Sequence, residues 1–581
     1  MKDKLVGKSI KKVFKSNIIF CAILVLVIIG VVIVSLVPPQ LLKVIIDKYL
    51  VNKVTVGLLN IAIIYLVVLI FIGILDVIKE AFLVVLGQKI TKEIRKEMMF
   101  KLEKVNSMYF SNNDSGEVVS LFTNDVDTIN SLFTNGIIGM IIDCFKVIGI
   151  LASIWIFNTY LGLATLILIP IIYFITRGFQ KLMLKAQLKN RVLVGKVNNH
   201  ISESLKNITM IKAYSKEKYM EDKYVEYLKD NFKTVEEINY FDSVYSPIIQ
   251  LIRAIVISII VILSSSKFNY LGISLGMVAA SIDLISNLFS PIENLGMELQ
   301  DIQKAISGIK RVNKFYEEKE EEEKNKELKK EILISNPTQI SIRFNNVSFG
   351  YTEEIKVLED ISFEVLSGEK ITVVGRTGVG KSTLFKLLLG LIKPGIGDIT
   401  INGVDVYSIP NKEKRKIFGY VSQGFTFIKG NIEEQVTLQD KNIPHNKVEE
   451  VMKLVGLHDY VLTLEKGYET MVEHDKLFSQ GQKQLLAIAR AIVTNPPILL
   501  LDEITANLDS ITEEKVVSVL QEVSTSRTIL SISHRLSSIV ACDKIVRIEE
   551  GKVKNIGTPE EMIEKDNWYR SHLELEKLTW K

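Results

Sequence analysis

At 581 residues, 48% hydrophobic and with a mean hydropathy of +0.24, the chain is too long for one core and too apolar for an ordinary soluble protein. A net charge of +4 gives no reason to expect nucleic acid binding, and the 3 cysteines, Cys21, Cys144 and Cys542, show no CxxC or His-Cys spacing, so neither a disulfide framework nor a zinc site is expected. The charge is unevenly placed: "KDKLVGKSIKKVFK" precedes the first apolar run and "EEKEEEEK" follows the last.

From the N-terminus, "NIIFCAILVLVIIGVVIVSLV" (17–37) is 21 residues without a charge, enough to cross a bilayer core of about 30 Å. It is too long for the apolar part of a signal peptide, lacks an A-x-A-like end and runs on into "PPQLLKVIIDKYL". Further apolar segments near 57–78, 134–157, 160–178, 247–264 and 270–291 predict six spans, the last interrupted by Asp283 and Asn287. The intervening stretches 79–133 and 179–246 are long, charged and helix-patterned. Their lysines and arginines, with the basic N-terminus, assign them to the cytoplasmic side. Asp143, Lys146, Arg253 and Asp283 fall within spans, where an unpaired charge is costly, and are expected to face the bundle interior or a wet cavity. Asp143 and Lys146 share a helix face and could pair with each other; Asp283 and Asn287, four apart, share a face of another helix.

After the membrane part (1–315) a charged linker (316–336) leads into a region (337–581) where strand-like and helix-like runs alternate, as in an α/β domain. There "ITVVGRTGVGKSTLFKLLLG" reads as strand, turn and helix around Gly375-Arg376-Thr377-Gly378-Val379-Gly380-Lys381-Ser382-Thr383. Glycines let backbone N–H groups close around phosphates at a helix N-terminus, Lys381 reaches the outer phosphates and the Ser382 hydroxyl can bind Mg²⁺. "PPILLLDEITANLDS" is an apolar strand ending in Asp502 and Glu503, of which the first can hold Mg²⁺ through water and the second orient water. Between them "LFSQGQKQLLAIARA" places Ser479 and Gln482 as a helix-capping box ahead of an apolar stripe.

In the order of these motifs the whole chain resembles the ABC transporter family, arranged as a half-transporter of exporter type. The resemblance implies a six-helix all-α transmembrane domain followed by an α/β P-loop ATPase domain. It implies that Tyr351 in "FGY" stacks on adenine, that Gln423 is the Q-loop glutamine and a Mg²⁺ ligand, that Ser479, Gln480, Gly481 and Gln482 form the signature motif acting on the partner's ATP, that Asp509 belongs to the D-loop, and that His534 is the switch histidine. Gln480 stands where glycine is usual, and "VEHDK" (472–476) replaces a glycine-containing stretch typical just upstream. "YFSNNDSGEVVSLFTNDVDTI" (109–129) and "IKAYSKE" (211–217) resemble the cytoplasmic loops of exporters that carry coupling helices, and the resemblance implies that the helix of Asp283 and Asn287 lines the translocation path, so that this face is the one expected to contact substrate. The implied function is ATP-driven export, with ATP and Mg²⁺, from the cell membrane, by a dimer with an identical or related half-transporter. A drug, peptide or lipid-like substrate fits equally; uptake of a siderophore-like compound on the same fold and an ATP-gated channel or sensor are the alternatives.

Overall fold

In this computed structural model the described residues are 5–263, 274–321, 340–351, 355–472, 477–504, 508–525, 527–533 and 542–579. His534, residues 473–476 of the "VEHDK" stretch and residues 322–336 of the charged linker lie outside them. The chain forms two compact units, one of residues 1–105 and 113–319, the other of residues 106–112 and 320–581. The short segment 106–112, at the head of the exporter-like loop, thus belongs with the C-terminal unit, where Met108 packs on the sheet core.

The N-terminal unit is helical. Among the described residues, six helical stretches are long and apolar enough to cross a bilayer: Ile18–Leu50, Leu58–Leu102, Ser115–Phe157, Thr159–Lys206, Glu217–Ile262 and Leu275–Glu317. An amphipathic helix, α1 (Leu5–Ser16), precedes them; α2 (Ile18–Ser35) starts the first crossing and α3 (Leu58–Leu102) forms the second. The third ends in α4 (Ile137–Phe157), and α5 (Thr159–Lys206), α6 (Glu217–Leu263) and α7 (Leu275–Glu317) complete the set. The 45 residues of α3 span about 68 Å at about 1.5 Å each, about twice a bilayer core, so the helix continues past the membrane. Each apolar segment read from the sequence is one end of a longer helical stretch, which runs on past it because charge ends an apolar run without ending a helix. Helix α7 starts after its N-cap Ser274, whose hydroxyl accepts from Met277 N (3.1 Å), and Asp47 of the first crossing holds that end. The Asp47 carboxylate accepts from Gly276 N (2.7 Å) and from the Ser274 hydroxyl (2.6 Å), and Gly276 leaves the room this needs. Ile154, Leu161, Val256, Ile260 and Leu284 form the bundle's interior cluster.

The C-terminal unit is α/β. An antiparallel sheet has the order β2-β1-β4-β5, from β1 (Ile342–Gly350), β2 (Lys356–Val365), β4 (Ile396–Ile401) and the two-residue β5 (Val404–Asp405). The central sheet has the order β12-β11-β3-β10-β9-β6. Its strands are β3 (Lys370–Val374), β6 (Phe418–Val421), β9 (Ile498–Asp502), β10 (Thr528–Ile532), β11 (Lys544–Glu549) and β12 (Lys552–Gly557). All neighbours in it are parallel except the β11–β12 hairpin. A short pair, β7 (Gly430–Asn431) with β8 (Met471–Val472), lies apart. Strand β9, "ILLLD", is buried at all five positions, the pattern of a parallel strand covered on both faces. Helices α8 (Lys381–Leu388), α9 (Gln480–Ile492) and α10 (Ser510–Val523) flank the sheet, and α11 (Asn567–Thr579) closes the chain. Ahead of α11, Asp566 is 1% exposed and takes both oxygens to Arg547 Nη1 at 2.7 Å, with Asn555 Nδ2 at 2.6 Å and Tyr569 N at 3.0 Å. Burial alone would push this carboxyl up. Arg547, Tyr569 and Asn555 outweigh it and hold Asp566 below the usual carboxylate range.

Candidate functional site

The site grows out of the C-terminal ends of the parallel strands, where loops converge in open α/β sheets. Strand β3 stops at Val374 and the chain turns into α8 through three glycines with positive φ: Gly375 (+155°), Gly378 (+89°) and Gly380 (+98°). Two of these need glycine for space as well as conformation. A Cβ on Gly375 would run into the Ile548 carbonyl, and one on Gly380 would lie 2.8 Å from Leu358 Cδ2. Arg376 and Thr377 are exposed at the tip, and Val379 is half-buried.

Lys381 starts α8 and is buried, its ammonium folded back to donate to the carbonyls of Gly375 (2.7 Å) and Arg376 (3.1 Å). Burial lowers its pKa, against the opposing pull of the Glu503 and Asp502 carboxylates. The next two residues face different ways. Ser382 is exposed at the helix N-terminus, whereas Thr383 is buried with its hydroxyl 3.2 Å from that of Tyr351. Tyr351 therefore stands beside the phosphate-type loop, its ring edge-on to Phe349 at 5.1 Å and 5.9 Å from the Lys386 ammonium.

Asp502 ends β9, 7% exposed, and accepts from the Tyr420 hydroxyl at 3.3 Å. Burial, then the nearby carboxylate, pushes Tyr420 up to about 12. Glu503 follows in a left-handed conformation (φ +50°), its N–H donating to Ile532 O on the neighbouring strand at 3.1 Å. Its carboxylate accepts from Gln423 Nε2 at 2.8 Å, so residues 80 apart in sequence meet. Gln423 is itself anchored: its carbonyl takes Gln484 Nε2 (3.0 Å) from α9. Nearly two turns of α9 further on, the Arg490 guanidinium lies 4.0 Å from the Phe425 ring centroid and donates to Thr426 O (3.1 Å) and Gln435 O (2.7 Å). Burial, with Arg415 nearby, lowers Arg490 to about 10. Sequence reasoning missed Gln484 and Arg490, which read there only as part of a helix; the structure makes them the bond between that helix and the Gln423 loop.

The turn at 479–482 has the predicted capping box. Ser479 Oγ accepts from Gln482 N (3.3 Å), and Gln482 Oε1 accepts from Ser479 N (2.8 Å). Gly481 carries a second constraint that the motif did not suggest: a Cβ there would collide with Thr512 Cγ2 on α10. Thr512 is also the residue whose N–H donates to Asp509, the N-cap of α10, at 3.0 Å. The Thr512 side chain first, and then its N–H, keep the Asp509 carboxyl below its ordinary pKa. The turn at 479–482 and Asp509 therefore meet within one chain, through Thr512. Gln480 sits in the first turn of α9, and its side chain is exposed.

Among the described residues no group of three or more His, Cys, Asp or Glu could hold a metal ion by itself. Ser382, Gln423 and Asp502 instead offer a hydroxyl, an amide carbonyl and a carboxylate, the all-oxygen and incomplete set that Mg²⁺ takes when nucleotide phosphates and water supply the rest.

In the helical unit, Asp143, Lys146, Asp283 and Asn287 line one crevice of about 390 Å³ with Asn294 and Tyr65. Asp143 accepts from Asn294 Nδ2 at 3.0 Å, and no ion pair joins it to Lys146 among the described residues, so the predicted pairing of these two is replaced by a contact to α7. Arg253 lies elsewhere, exposed on α6.

The family model of the ABC transporter transmembrane region matches residues 19–292, and that of the ABC transporter matches residues 358–506. An uncharacterized ABC transporter ATP-binding protein of Bacillus subtilis, YfiC, is 30% identical over 84% of this chain and 80% of its own length. A probable multidrug resistance ABC transporter ATP-binding/permease protein of the same organism, YheH, is 28% identical over 84% of this chain and 73% of its own. A bacterial Atm1-family ABC exporter solved with ATP bound has the same fold, with a TM-score of 0.76 at 24% identity over 97% of this chain and 98% of that one.

Proposed function

Because this chain belongs to the ABC transporter family, as a multi-pass membrane protein whose exporter-type membrane region is fused to a cytoplasmic ATP-binding domain, we propose that it hydrolyses ATP as a dimer of half-transporters and exports a drug, peptide or lipid-like substrate by alternating access. The observation that carries the reading is the bond between Gln423 and Glu503 beside the glycine loop that holds Lys381. It ties the carboxylate and the amide that follow the neighbouring strands β9 and β6 of the parallel sheet to whose β3 the loop of the buried Lys381 ammonium is joined.

In this reading Tyr351 stacks on adenine, and the loop from Gly375 to Gly380 wraps the phosphates with its N–H groups. Lys381 exchanges its two loop carbonyls for phosphate oxygens, a stronger, charge-assisted partner. Ser382 and Gln423 would hold Mg²⁺, with Asp502 acting through water; the ion supplies charge neutralisation at the phosphate oxygens. Glu503 orients the attacking water and takes its proton. Its bond to Gln423 ties that carboxylate to the loop that carries the amide, so a displacement of the loop moves the base. His534 holds the γ-phosphate. The turn Ser479–Gln482 presents the N-terminus of α9 to the nucleotide of the partner half-transporter, where an anion is favoured.

Two measurements test this. Glu503→Gln in both chains is expected to keep MgATP binding and to lower steady-state turnover about a hundredfold or more, the usual weight of a general base; wild-type turnover overturns the role. Dimers purified with Lys381→Ala and Ser479→Arg on one chain should be inactive, because each lesion disables a different composite site. The same lesions split between chains should retain one working site. Equal activity of the two arrangements removes sharing across the dimer, and ATP-driven accumulation in right-side-out rather than inside-out vesicles reverses the direction.

A further inference from the structure

The helical unit buries more charge than the apolar segments suggested. Beside the crevice that holds Asp283 and Asn287 lies a second, of about 380 Å³, which shares Asp143, Lys146 and Asn294 with it. Lys79 and Glu80 of α3, Gly139 of α4 and Glu298 and Asp301 of α7 complete the wall. Glu298 lies on the stretch of α7 that continues beyond the last apolar segment, and is 7% exposed. Among the described residues its Oε2 has no hydrogen-bond partner. The carboxylate rests against Gly139, at the place a Cβ would fill, so the glycine is what admits it. Asp143, equally buried at 7%, approaches from α4 with its Oδ2 on Asn294.

The charges around this space do not balance. Lys79 is already bound on its own helix, to Asp76 at 2.9 Å and Glu80 at 3.3 Å, and Asp301 is paired with Lys304 at 3.0 Å. That leaves Asp143, Asp283 and Glu298 lining the joined crevices against Lys146. A buried carboxylate oxygen without a donor is costly, more so beside other carboxylates, and a bound cation removes the cost. The first crevice adds apolar wall, from Leu36, Leu69, Ile72 and Ile150.

Resting on the export reading above, we propose that the transported substrate is an amphipathic organic cation, its charged group held between Asp143 and Glu298 and its apolar body in the adjoining crevice toward Asp283. An anionic or neutral compound would leave Glu298 uncompensated and is disfavoured.

The test uses two rigid ions of nearly the same shape and opposite charge, tetraphenylphosphonium and tetraphenylborate. Their binding to the full-length dimer in nanodiscs is measured by equilibrium dialysis without nucleotide, against empty nanodiscs. Saturable binding of the phosphonium alone is expected. Glu298→Gln should weaken it at least tenfold and Glu298→Asp less. Equal saturable binding of the two ions, or wild-type phosphonium affinity in Glu298→Gln, overturns the proposal; the two-ion comparison on the wild-type protein decides even if the variants fail to fold. Charge-selective binding without ATP-driven transport in vesicles would remove the export reading and keep the site. Transport of other compounds without that selectivity would do the reverse.

Discussion

The two units differ in what they leave outside, although each buries an apolar cluster. In the C-terminal unit all five residues of β9 are inside, and Leu500 is 0% exposed. In the N-terminal unit none of the most apolar window of α3 is buried: Ile63 is 50% exposed and Val67 57%, while Glu298 and Asp143 are inside. The difference lies in the solvent. Water drives apolar side chains together, whereas lipid tails solvate them as well as another helix does, so apolar burial does not hold the helical unit together. A buried apolar residue is thus a packing statement in one unit. In the other, a buried polar residue is the informative one.

Three substitutions probe that contrast, all followed by the unfolding transition of the full chain in lipid nanodiscs. The largest effect is expected from Leu500→Ala, which empties a closed site in the sheet and should cost about 2–5 kcal/mol. Next comes Asp566→Asn, which leaves the Arg547 guanidinium buried without its main partner and should cost about 3 kcal/mol at neutral pH. The sign of its pH dependence follows from the depressed pKa of Asp566. The contribution is complete above the ordinary carboxylate value of about 4 and is lost as the pH falls through the lower folded-state value, so variant and wild type should converge only in strong acid. Smallest is Ile63→Ala, expected to change stability by less than about 0.5 kcal/mol because lipid already surrounds that side chain. A cost near that of Leu500→Ala would mean that position 63 is packed against protein in the assembly.

The contrast also explains what could be read in advance. The nucleotide site was legible because its parts are local: Gly375 to Thr383 form one turn and one helix start, and Ser479 with Gln482 closes on itself within four residues. Even so, the reason for Gly481 was not, since the constraint comes from Thr512 on another helix. In the membrane part the six crossings were visible as apolar runs, but the crevice was only half visible. Asp143 and Asp283 stood out as charges inside those runs. Glu298 and Asn294 did not, because they follow the last run on a helix whose continuation polar residues conceal, and they meet Asp143 only through packing.

Glu503 has a consequence of a different kind. A glutamate at φ +50° occupies backbone space that glycine enters freely, at a cost on the order of 1–3 kcal/mol. Selection for heat resistance alone therefore has an easy step at this position, and the step discards the carboxylate to which the proposed mechanism assigns the attacking water. A laboratory lineage chosen for survival of the fold would drift there, whereas one chosen for turnover would keep the strain. Position 503 thus records which of the two pressures a lineage has been under.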